Sequence, residues 1–156
     1  MEKINKLLVR ILFLMTCFLP FSSVAQKISL ESKVLGYCEF VYFYVAQLQQ
    51  LRNNEGAAKA YLNRSAMMST AFFISEEVDG TVSGEKIKAS RTLGLNKKQD
   101  FDKQPESVVP EVAKCDKEAI GIATHVRSTG KRLWGKSFDE LQAEMFSKSR
   151  GYLGVN

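Results

Sequence analysis

Histidine occurs once in this chain, at His125, and that scarcity removes most ordinary catalytic and metal-binding schemes. Cysteine is nearly as rare, at Cys17, Cys38 and Cys115. No Cys-x-x-Cys pair serves thiol exchange, no Cys-x-x-Cys-His holds haem, and no glycine-rich loop cradles a phosphate. The acidic stretch Glu76, Glu77, Asp79 lacks the alternating-aspartate spacing of a calcium loop, so it reads as a solvated face. The Asn63-Arg64-Ser65 sequon falls within a helical pattern and is taken as chance. Dense Lys/Arg runs, internal repeats and low-complexity segments are missing too, which leaves no case for nucleic-acid binding. These gaps leave no catalytic residue, metal or cofactor to assign.

What the chain does have begins with an export signal. Lys3, Lys6 and Arg10 precede an apolar segment from Ile11 to Phe21, and Ser23 and Ala25 are the small residues a signal peptidase reads. The segment is too short to cross a bilayer. Residues 1–25 are therefore read as a signal peptide and 26–156 as a single helical domain, periplasmic or secreted. A rival reading acylates Cys17 to give a lipid-anchored form, but Thr16 and the apolar residues after Cys17 suit it poorly. Subtracting the leader's three basic residues and one acid from 22 and 17 leaves 19 and 16, a mature charge of about +3.

The mature chain keeps two cysteines, and an oxidising compartment favours their pairing. Cys38 and Cys115 each fall on an apolar stripe of a predicted helix, which makes a Cys38–Cys115 disulfide the expected link between two core faces. Two buried free thiols are the competing possibility.

Val34 to Leu51 is the organising element. Val34, Cys38, Val41, Val45 and Leu48 recur at helical spacing, and the six apolar residues Phe40 to Val45 spread round most of the circumference. Asn53-Asn54 stops this helix and caps the next, whose stripe is Ala57, Ala60, Tyr61, Met68, Ala71 and Phe72. So short a link makes the two antiparallel neighbours. From Glu85 to Lys98 the apolar pattern weakens to a short helix or partly ordered loop, followed by an exposed linker from Lys97 to Pro105. A further helix starts at Pro105, Glu106 or Pro110 and carries Val108, Val112, Cys115, Ala119, Ile122 and Val126. The last opens on the capping box at Ser137 and buries Phe138, Leu141, Met145 and Tyr152. The expected fold is all-α: an antiparallel bundle of four main helices plus a shorter segment, with one inter-helix disulfide.

Function is less legible. Tyr37, Phe40, Phe43, Tyr44, Tyr61, Phe72 and Phe73 form either a packed aromatic core or a surface for a ligand or partner. Arg64 either snorkels to water or forms a buried ion pair with Glu39. The leading expectation is a non-enzymatic interaction protein of the envelope or secreted space, whose partner is another such protein. The alternative is a small carrier of an apolar or amphipathic ligand between the first two helices. A hydrolase built on a serine, His125 and an acid is a third.

Overall fold

The computed structural model describes residues 28–154, so the leader and Cys17 lie outside the described residues. Five α-helices follow in order: α1 Leu30–Leu51, α2 Glu55–Glu76, α3 Gly84–Lys103, α4 Val108–Ser128 and α5 Phe138–Leu153. A 3₁₀ turn, Pro105–Ser107, leads into α4. No strand occurs among the described residues, and no helix there is long and apolar enough to cross a membrane.

Four of the five helices start where a side chain accepts from their free N–H groups, α4 being the exception. The Ser29 hydroxyl accepts from the Ser32 amide at the head of α1, and the Asn54 carbonyl oxygen accepts from Ala57 at the head of α2. Between them Asn53 takes the left-handed conformation (φ 58°) that asparagine tolerates, so the chain reverses within three residues. Ser137 and Glu140 close a reciprocal capping box on α5. Pro110 lies in the first turn of α4, where its missing N–H costs no helical bond.

Helix α1 is covered on three sides. It packs along α2, while α3 and α4 cover two further sides and α5 lies across α2. Leu35, Cys38, Val41, Tyr42 and Val45 make its buried stripe. Cys38 is joined to Cys115 of α4, with Cα atoms 5.5 Å apart. Closing a loop of 77 residues lowers the entropy of the unfolded chain by an amount worth about 4 kcal/mol.

Two regions differ from the sequence expectation. On α2, Ala60 is exposed and the buried positions of the first turns are Ala58, Leu62 and Ala66, because α5 covers a flank the simple stripe leaves to solvent. The stretch expected as a short helix or loop with a trailing linker is the 20-residue helix α3. Its contact face is made of Ser90, Gly94 and Phe101, mostly small residues, so hydrophobic periodicity is faint there. A Cβ on Gly36 of α1 would lie 2.3 Å from Ser90 Cβ, and one on Gly94 would lie 2.4 Å from Phe40 Cγ. Glycine is what allows α1 and α3 to come so close.

The acidic stretch after α2 is not a solvated face either. Glu76 is 6 % exposed and pairs with Lys86 Nζ at 2.8 Å, while the Ser29 amide donates to it at 3.3 Å. One carboxylate thus ties together the start of α1, the end of α2 and the start of α3. Glu77 pairs with Lys131 at 2.9 Å.

Candidate functional site

Of the seven aromatic residues that stood as candidate surface, two are fully core and the other five are partly buried. Phe72 is 1 % exposed and Tyr44 6 %, which removes both from any recognition surface. The Tyr44 hydroxyl donates to Asp102 at 3.1 Å, and its ring lies 5.3 Å from that of Phe101. Tyr37 is half-buried; burial and a hydrogen bond to Glu111 push its hydroxyl above the ordinary range. Phe73 packs against Phe72 and Trp134. Trp134 in turn donates from its indole N–H to the Gly80 carbonyl at 2.8 Å, clipping two turns together.

Glu39 and Arg64 do not pair. Arg64 reaches Asp116 of α4 at 2.7 Å and lies over the rings of Tyr42 and Tyr61, each 5.6 Å away. Tyr42 donates to the same Asp116 oxygen. The guanidinium therefore stays at the α2–α4 edge, about two-fifths exposed, in keeping with the snorkelling alternative. Glu39 lies between α2 and α3 instead, with a hydrogen bond from Ser69 and Arg91 3.8 Å away.

Phe40 and Phe43 remain beside open space. With Gly36 and Glu39 they form the floor of a groove of about 260 Å³ on α1. Arg91 and Leu95 of α3 make one wall and Ser149 and Tyr152 of α5 the other, with Ser65 of α2 at the base. Leu95 is 57 % exposed and Tyr152 84 %, so Tyr152 stands out from the bundle rather than joining its buried side. The floor continues along the same face of α1. Gln47, Gln50 and Leu51, with Lys98 and Asp102 of α3, line an adjoining depression of about 350 Å³, which Tyr152 also borders. From Glu39 to Leu51 this partly exposed stripe is about 18 Å long at 1.5 Å per residue.

The chemistry of the groove is concentrated in one carboxylate. The Glu39 side chain is 19 % exposed, and its nearest cation, Arg91, is 3.8 Å away and more than half in solvent. Burial pushes its pKa above the usual carboxylate range; Arg91 and a hydrogen bond from Ser69 act against that rise without cancelling it. A carboxylate in this condition gains from any further cation brought within reach.

A second groove, of about 560 Å³, runs between α1 and α4. Val45, Leu48, Val108 and Val112 line it, with Arg52 and Asp116 at its edge. His125 is exposed on α4. Among the described residues no group of three or more His, Cys, Asp or Glu side chains is placed to hold a metal ion. Sequence reasoning missed Arg91 and Leu95, because α3 offered no clear apolar stripe, and misplaced Tyr152. No protein-family model, curated protein or solved structure matches this chain.

Proposed function

We propose that this chain is an exported, non-enzymatic interaction protein of the cell envelope or secreted space. On this reading its α1 groove receives an apolar segment of another protein. The leader's charge and hydropathy pattern supports export, and a disulfide is at home in an oxidising compartment. The observation that carries the binding role is the partly open stripe of α1 at Phe40 and Phe43, flanked by the exposed Leu95 and Tyr152. At about 260 Å³ the groove is smaller than pockets that enclose small molecules, and its elongated floor suits a peptide segment better. The test is affinity capture from the native envelope with the parent protein and with a Leu95→Asp/Tyr152→Asp variant. A partner retained by the parent and lost by the variant is the expected result; equal capture by both would refute the assignment of the surface.

A carrier role draws on a different observation, the larger apolar groove between α1 and α4. Its volume falls within the range of ligand pockets. Native mass spectrometry of the purified protein would then show a co-purified lipid or other apolar molecule.

A further inference from the structure

Resting on the groove reading above, the geometry points to the kind of segment the groove takes. We infer that the partner presents a helix with one lysine or arginine set against Glu39 and apolar residues three and four positions along, against Phe40, Phe43 and Leu95. Three observations combine. The Glu39 side chain lines the groove together with the rings of Phe40 and Phe43, so an apolar partner alone would strip it of its remaining water. Its present cation is loosely held: Arg91 is 3.8 Å away, beyond the usual 2.7–2.9 Å of a charge-assisted hydrogen bond, and more than half exposed. Arg91 can therefore turn to solvent and yield the carboxylate to an incoming cation. Finally, the lining continues from Glu39 mainly towards the C-terminal end of α1, through Phe43 and Gln47 to Leu51, while on the other side Gly36 is covered by Ser90 of α3. A helix laid along it meets the acid near one end, the rings of Phe40 and Phe43 within the next turn, and the polar Gln47, Gln50, Lys98 and Asp102 beyond, so its apolar residues belong one turn from its cation.

Selection from a randomised library of peptides about 16 residues long, roughly 24 Å as a helix, tests this directly. Against the parent protein the recovered sequences should share a basic residue with apolar residues spaced as above. Replacing that residue by norleucine should weaken binding at least tenfold, and selection against Glu39→Gln should no longer require it. Binding should also fail with Leu95→Asp, an exposed position whose variant is checked for folding by circular dichroism. Recovered peptides that depend on Leu95 but lack a basic residue would overturn the inference and leave the groove itself intact as a docking surface. Peptides indifferent to Leu95→Asp would overturn both. Displacement of the recovered peptide by equimolar dodecylammonium would overturn the inference in favour of a small cationic amphiphile.

Discussion

Glu76 and Glu39 are both carboxylates largely withdrawn from water, and the fold treats them in opposite ways. Glu76 has Lys86 at 2.8 Å and receives the Ser29 amide, and it joins three helix ends. Burial alone would raise its pKa, but hydrogen bonds from Lys86, Ser32 and the Ser29 amide outweigh that and hold it below the ordinary carboxylate range. Glu39 has a single cation at 3.8 Å, and burial prevails. A charge whose partners are complete contributes to the architecture. One left short of partners on an open face is where binding energy can be gained, because the cost of burying it has already been met by the folded state.

The largest expected effect separates the two carboxylates. Glu76→Ala leaves Lys86 buried without its counter-charge and should cost about 3–5 kcal/mol of unfolding free energy in urea titrations. Glu39→Leu, by contrast, should leave stability unchanged or raise it by up to about 1 kcal/mol, since it removes a poorly compensated buried charge. If both substitutions cost the same, the distinction drawn here fails.

Between these falls the close approach of α3 that forms one groove wall. Gly36→Ala brings a Cβ to 2.3 Å from Ser90 Cβ and 3.1 Å from its Cα. Overpacking of this kind costs about 1–3 kcal/mol, against which about 1 kcal/mol is recovered in helix propensity. A net loss in denaturation midpoint, with weakened peptide binding, is expected.

The pH dependence should carry opposite signs at the two sites. A folded-state pKa below the unfolded value, as at Glu76, gives stability that is present above the ordinary carboxylate value and lost as pH falls through the folded one. Glu39 is raised, so its contribution is full below the ordinary value and lost as pH rises through the folded one. The deficit of Glu76→Gln relative to the parent should therefore grow as pH rises towards the ordinary carboxylate value and level off above it, while Glu39→Gln should gain on the parent only as pH rises past that value. Chemical denaturation at several pH values reads both. The smallest effect belongs to Arg64, which is paired with Asp116 but two-fifths exposed. Arg64→Ala should cost no more than about 1 kcal/mol, most of it from lost contact with Tyr42 and Tyr61.

The same contrast explains what could be read from residues alone. The helical class, the Asn53-Asn54 reversal, the Ser137 capping box and the Cys38–Cys115 link each rest on local chemistry that a sequence displays directly. Helix α3 does not, because glycine and serine pack there in place of large apolar side chains. Ion pairing was harder still. Arg64 and Glu39 suggest themselves as partners by their positions on neighbouring helices, yet each is claimed by a third helix, α4 and α3 respectively. Phe40, Phe43 and Phe72 are indistinguishable by type, and only tertiary packing leaves the first two beside an opening and buries the third.

The most direct measurement places a photoreactive amino acid at Leu95 in the groove wall, or at exposed Lys117 on α4, and irradiates cells making the full-length protein. The account predicts a covalent adduct to another polypeptide from position 95 alone, lost when Tyr152→Asp is added. An adduct of equal yield from position 117, or none from position 95, would contradict it.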